Sequence, residues 1–155
     1  SLWQERILIR TASALHDIGK IGIDEAILNK PGRLTAEEFE SMKAHTTIGA
    51  DMLRNLPRYQ EERILQIAIE ICRWHHERYD GKGYPDGLVG DEIPISAQLV
   101  SIADVYDALT SERVYKKAFS HEKAMQMIRE GECGAFNPLL LSCLEEIADE
   151  LQAEM

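Results

Sequence analysis

Apolar residues recur along most of this chain at helical spacing, and no stretch alternates in the manner of a half-buried strand. Ile7, Thr11, Ala14, Leu15 and Ile18 follow the i, i+4, i+7, i+8, i+11 pattern of one helix face, which the Gly19 breaker ends. His16 and Asp17 are thereby predicted on the last turn. The stretch from Gly19 to Leu34 is rich in turn formers, with Asn29-Lys30-Pro31-Gly32 inside it. Thr35-Ala36-Glu37-Glu38 then carries the capping-box pattern that starts a helix, with His45 at or just past its end. Ile48, Met52 and Leu53 mark a following helical segment. Ile64, Ile67, Ala68, Ile71, Cys72 and His75 form a long amphipathic stripe, so an imidazole continues an otherwise apolar row. Between Arg78 and Pro94, the glycines at 81, 83, 87 and 90 and the prolines at 85 and 94 exclude both helix and strand and predict a functional loop. Helical spacing resumes at Leu99, Ile102, Ala103 and Tyr106, with Val100, Asp104 and Asp107 on a neighbouring face. Helices over about 120–130 and 138–151 complete the pattern, whose class is all-α, a compact helical bundle.

At 155 residues the chain suits one domain with a real hydrophobic core and is too short for two, so residues 1–155 are read as a single unit. A formal net charge of −10 argues against binding to a nucleic acid polymer or an anionic membrane, both of which need a basic face. An anionic small substrate would need local positive charge, which bound metal ions supply. No apolar run approaches the ~18 residues of a membrane span. The opening SLWQERILIR carries charges where a signal peptide would be apolar, which points to a cytoplasmic protein without membrane contact. Cys72, Cys133 and Cys143 are odd in number and lack CxxC spacing, as expected of reduced core thiols and not of a disulfide framework or zinc finger. A start at Ser1 and not Met suggests a piece of something longer or an expression remnant.

Candidate chemistry lies in His16-Asp17, His45, His75-His76 and Asp104; of the five histidines only His121 falls outside this series. Taken singly, each has a plain alternative. His-Asp is a common dipeptide at helix ends, His45 fits a capping histidine, and Lys20 a cation at a helix C-terminus. His75 and His76 are costlier to bury without partners, although a hydrogen-bonded core histidine explains either one. Asp104 in an apolar segment wants a cation, a capping role or a raised pKa, and Asp107 is either an orienting group or a surface aspartate. Taken together, imidazoles and carboxylates from four separate helices are what a metal site in a bundle core requires. Without cysteine among them, structural zinc is disfavoured and an iron, manganese or similar catalytic centre is favoured.

The residues from Ala12 to Phe136 resemble the HD-GYP family of metal-dependent phosphodiesterases, a branch of the HD phosphohydrolases. The similarity is carried by Leu15-His16-Asp17-Ile18-Gly19-Lys20-Ile21-Gly22, Lys30-Pro31-Gly32, His45-Thr46-Thr47-Ile48-Gly49-Ala50, His75 through Gly87, and Ile102 through Ser111. The resemblance implies an HD-domain-like all-α core hydrolysing cyclic di-GMP to the linear dinucleotide or GMP by in-line attack of an activated water on a phosphodiester. It implies two or three divalent ions, iron or manganese first, with nickel, zinc or magnesium as alternatives. Carried over, His16, Asp17, His45, His75, His76 and Asp104 are metal ligands, with Asp17 bridging two ions. Lys20 lies beside the reacting phosphate or water, and Arg113 and Lys116 form a phosphate-binding pair, a fork and a point charge. The Gly81–Pro85 loop is linked in the family to contacts with partner signalling domains; a structural turn supporting His75 and His76 is the equal alternative. Family members carry upstream helices with a further histidine and, in the trinuclear type, a glutamate, which this chain lacks. A sensory or receiver domain commonly precedes such modules. Phe136-Asn137-Pro138 replaces the family's Phe-Asp-Pro at a position read as structural. The alternatives to a cyclic di-GMP phosphodiesterase are a non-catalytic scaffold that binds through the GYP loop, or a hydrolase of another cyclic dinucleotide or nucleotide.

Overall fold

The long amphipathic stripe becomes the central helix of the fold. The computed structural model describes residues 2–113, 116–147 and 150, with only the backbone at residues 2, 3, 5 and 6. In chain order the α-helices are α1 (Leu2–Ser13), α2 (Glu25–Leu28), α3 (Ala36–Lys43), α4 (His45–Arg54), α5 (Arg63–Trp74), α6 (Ile95–Thr110), α7 (His121–Arg129) and α8 (Pro138–Glu146). No strand occurs among the described residues; the only extended pairings there are isolated bridges of Asp80 with Val89 and Arg113 with Lys116.

α5 buries Leu65, Ala68, Ile69, Ile71 and Cys72 and is flanked by α1, α4 and α6. Ala12, Ala50, Leu53 and Val100 close this core, and the alanines at 12, 50 and 68 leave room for close helix approach. Ile71 is fully buried, worth ~1.5–3 kcal/mol. That burial anchors the last turn of α5 directly ahead of the two adjacent histidines. A second core packs Ile102 and Leu109 of α6 on Ala124, Ile128, Phe136 and Leu140. One helix therefore serves both cores, and Asp104 projects from between them.

Local chemistry sets the helix starts. Thr35 Oγ1 accepts from Glu38 N at 3.1 Å while Glu38 Oε2 accepts from Thr35 N at 2.8 Å, so the capping box expected before α3 is present. Ser120 caps α7 through the amide of Lys123. Asn137 caps α8 through the amide of Leu139, and its own amide donates to Gln98 Oε1 at 3.0 Å, tying α8 to α6. The second bond needs a donor, which the family's aspartate would not offer when ionised.

Several expectations need correction. α1 ends at Ser13 and not at Gly19, because the chain tightens into i→i−3 bonds, Leu15 N to Ala12 O and Ile18 N to Leu15 O, before a 3-10 helix at Ile18–Gly22. Ile7 and Leu15 are exposed, and among the α1 side chains described Ala12 is the one fully buried in the core. On α6, Val100 and Ile102 are buried while Leu99 and Ala103 line an open groove with residues of α8. The turn-rich stretch also contains the single-turn helix α2, capped by Asp24. The last helix is described to Glu146, and its expected continuation to 151 falls largely on residues outside those described. No described helix is long and apolar enough to cross a membrane.

Candidate metal centre

Backbone geometry at helix ends delivers most of the site. His16 and Asp17 sit in the turn after α1, His45 is the first residue of α4, His75 and His76 follow the last turn of α5, and Asp104 lies within α6. A turn can direct neighbouring side chains to one point, which a helix interior cannot, since its successive side chains diverge by ~100°. Gly19 allows the approach: a Cβ there would lie 1.8 Å from the carbonyl oxygen of His45 and 2.6 Å from Gly49 N. The 3-10 helix thus rests backbone to backbone on the start of α4, and Asp17 is brought beside His45.

The donor atoms converge. Asp17 Oδ2 lies 3.0 Å from His16 Nε2 and 3.3 Å from Lys20 Nζ; Asp17 Oδ1 lies 3.5 Å from His45 Nε2 and 3.6 Å from His75 Nε2. Asp104 Oδ1 is 3.6 Å from His16 Nε2. Two sets, His45 with His75 and His76, and His16 with Asp17 and His75, each offer ligand atoms within 4.8 Å of one another. His75 belongs to both. Three of the rings are fixed from behind: Nδ1 lies 2.6 Å from Ser13 O in His16, 2.7 Å from Met42 O in His45 and 2.8 Å from Ile71 O in His75. Each Nδ1 must donate to its carbonyl, which leaves Nε2 facing inward, a lone-pair donor whenever the ring is neutral. Those Nε2 atoms are buried and have no hydrogen-bond partner; His16 Nε2 approaches Asp17 without the alignment of a hydrogen bond. Orphaned buried nitrogens aimed at carboxylates are costly on their own and fit a set of divalent ions.

The electrostatics follow from this arrangement. Asp104 and then Asp17 hold the His16 imidazole up to about 10. Burial pulls Asp17 upward, and His16, His75 and Lys20 more than offset it, leaving the carboxyl below its usual range. Asp104 is lowered as well, first by His16. Burial, then the neighbouring histidines, pushes His76 down to about 2, and burial lowers His45. Of the three cysteines expected in the core only Cys72 is buried, Cys133 being half-buried and Cys143 exposed at the α6–α8 groove. Cys72 stands apart from the donors, burial raising its thiol to about 12 and its Sγ donating to Leu15 O at 3.2 Å.

The glycine-rich loop folds back over the end of α5. A Cβ at Gly83 would meet Arg78 N, Glu77 Cα and His76 O at 2.4–2.5 Å, so only glycine permits this approach. Tyr84 N donates to His76 O at 3.2 Å, and the Tyr84 ring stacks on the His76 ring at 4.9 Å between centroids and 15° between planes. Glu77, 2 % exposed, is a functional residue that sequence reasoning misses: its carboxylate accepts from the backbone amides of Asp86, Gly87 and Leu88 at 2.6, 3.1 and 3.0 Å. Its one sequence signal is an acidic residue between a buried stripe and a glycine-rich loop. Asp86 is held in turn by Nε and Nη2 of Arg73 and by Trp74 Nε1.

Among the other candidates, Lys20 lies at the cluster's edge, partly exposed and paired with Asp17. Arg113 is exposed, and its backbone pairs with that of Lys116. Lys116 Nζ donates to the carbonyls of Leu109, Ser111 and Lys117, closing the end of α6, and contacts the Phe119 ring. No hydrogen bond or ion pair joins Arg113 or Lys116 to the cluster among the described residues. Asp107 is exposed, accepts from Ser111 Oγ, and orients no histidine there.

Comparison with known proteins adds family context. A family profile described as HD domain matches residues 2–138. A cyclic di-GMP phosphodiesterase of Vibrio cholerae serotype O1 is 46% identical over 147 residues, 94% of this chain and 30% of that protein. A cyclic di-GMP phosphodiesterase of Thermotoga maritima is 46% identical over 143 residues, 92% of this chain and 38% of that protein. A 3'3'-cGAMP-specific phosphodiesterase of Vibrio cholerae is 42% identical over 149 residues, 96% of this chain and 28% of that protein. The chain thus spans about a third of the length of these relatives.

Proposed function

The chain belongs to the HD domain family, and from that premise we propose that it is the catalytic domain of a metal-dependent phosphodiesterase cleaving cyclic di-GMP to the linear dinucleotide or GMP. The observation that carries the reading is the convergence of three buried imidazole Nε2 atoms, none with a hydrogen-bond partner, on the Asp17 carboxylate. His16, Asp17, His45, His75, His76 and Asp104 would hold two or three divalent ions, and an all-nitrogen-and-oxygen donor set favours iron or manganese over a thiophilic metal. Bound there, such ions lower the pKa of a water and take up charge developing on the phosphodiester.

The chain's own groups do the remainder. Asp17 occupies the centre, within 3.6 Å of three imidazoles, and serves as the shared ligand. Lys20, held 3.3 Å from Asp17 with part of its side chain in solvent, turns its ammonium to the scissile phosphate. Arg113 meets a phosphate as an exposed two-pronged fork. Lys116 fixes the backbone beside it and joins in phosphate binding by exchanging its carbonyl partners for phosphate oxygens. A preceding sensory or receiver domain is consistent with the share of the relatives' length that this chain spans. Contacts with partner signalling domains run over the Gly81–Pro85 loop, where Lys82 is exposed.

Relatives named as 3'3'-cGAMP phosphodiesterases favour one second reading, the same chemistry on that neighbouring cyclic dinucleotide. One experiment addresses both. The chain, joined to upstream helices and loaded anaerobically with iron or manganese, is assayed against cyclic di-GMP and 3'3'-cGAMP, with Asp17→Ala and His75→Ala as controls. Cleavage of cyclic di-GMP by the parent and by neither variant is expected. A metal-loaded parent that cleaves neither dinucleotide contradicts the reading.

A further inference from the structure

Four histidines point into one cluster, but they are not held alike. His16, His45 and His75 each set Nδ1 against a backbone carbonyl, which fixes ring rotation and tautomer together. His76 has no such bond among the described residues. Its ring is instead covered by Tyr84, nearly parallel at 15° and 4.9 Å, and the Tyr84 ring is braced edge-on by Phe39 at 6.0 Å. Lys43 Nζ lies 5.4 Å from the Tyr84 centroid and 5.0 Å from that of Phe39. The loop backbone reinforces the placement through Tyr84 N on His76 O and the Gly83 contact with residues 76–78.

We infer that Tyr84 is the positioning residue of His76, its flat ring restraining the tilt of this imidazole where backbone carbonyls fix the other three. The inference rests on the metal-cage reading above. A stacked face restrains ring tilt without choosing which nitrogen carries the proton. His76 therefore keeps a rotational freedom denied to the others, and the ion held by His45, His75 and His76 depends on the loop in a way that the ion of His16 and Asp17 does not. Loss of an orienting contact behind a ligand typically lowers metal affinity ~10–100-fold.

The test is manganese binding by the purified chain, with Tyr84→Phe, which keeps the ring, and Tyr84→Leu, which keeps apolar bulk without a flat face. The parent and the Phe variant are expected to titrate alike. The Leu variant should weaken one class of site by ~10–100-fold and leave the other unchanged, with the melting temperature of its ion-free form near the parent's. A Leu variant that binds as tightly as the parent overturns the inference, and so does a Phe variant weakened as much as Leu, which would shift the role to the hydroxyl. Proton NMR of the ion-free parent gives a second readout that needs no variant to fold. The carbon-bound ring protons of His76 should be shifted upfield relative to those of His45 by the ring stacked on them, and the absence of that shift overturns the inference. No manganese uptake by the parent would overturn the cage itself. Uptake by the parent with a tight Leu variant would overturn only the role of Tyr84.

Discussion

Single residues set the charge state in which this cluster receives an ion. His16, held up to about 10 by Asp104 and Asp17, is protonated at neutral pH in the ion-free chain, whereas His76, pushed down to about 2, is already neutral. In the ion-free fold the His16 interaction is fully present below the ~6.5 of a free imidazole and is lost as pH rises through about 10. Those of Asp17 and Asp104, whose carboxyls are lowered, are present above the ordinary carboxylate pKa and lost as pH falls. A metal must find His16 without its proton, so ion uptake at pH 7 should release about one proton from this ring, and affinity should climb with pH toward 10. Calorimetric titration with manganese in buffers of different ionisation enthalpy measures that proton, and a heat independent of buffer would refute it. The raised His16 was not legible in the sequence, because it depends on carboxylates one and 88 positions away meeting the same nitrogen.

Elements, and above all their ends, do the positioning. Gly19 places the turn carrying His16 and Asp17 against the start of α4, where a Cβ would lie 1.8 Å from a carbonyl oxygen that cannot move without unwinding the helix. Gly19→Ala should therefore cost ~1–3 kcal/mol or more in urea unfolding and weaken metal uptake with it. Unchanged stability would show that the two backbones do not touch. Glu77 does comparable work for the loop over α5, with one carboxylate receiving three amides. Glu77→Gln removes charge and one acceptor oxygen, so a loss of ~1.5–3 kcal/mol is expected, with faster hydrogen exchange at Asp86, Gly87 and Leu88. Retained protection at those amides would contradict the clamp. The helices themselves were largely readable: the capping box at Thr35 and helix α5 appear where the pattern put them, although the buried face of α5 takes in Leu65 and Ile69 and leaves Ile64 and Ile67 half-buried. The end of α1 was not, because apolar spacing continues through Ile18 while the backbone has already tightened into a 3-10 turn.

At the scale of the whole molecule, ligands from four separated segments are joined only through the folded core, so metal and fold should stabilise each other. Without ions, the inward-facing imidazole nitrogens and two nearby carboxylates are left to each other and to Lys20. Saturating the cage at a hundred times the dissociation constant should add ~2.7 kcal/mol, and a chelator should lower the melting temperature correspondingly. A melting curve indifferent to chelator would weigh against the cage. The grouping of histidines and aspartates was legible because chemistry-bearing residue types stood at helix ends and on an otherwise apolar stripe. Lys116 was harder to place, since its spacing cannot reveal that its ammonium closes the end of α6. The account as a whole is tested most directly by anomalous-diffraction crystallography of the manganese-loaded chain. It predicts peaks inside the space bounded by His16, Asp17, His45, His75, His76 and Asp104, with Asp17 between them. Fully loaded crystals with peaks only elsewhere on the molecule, and these side chains unmoved, would contradict it.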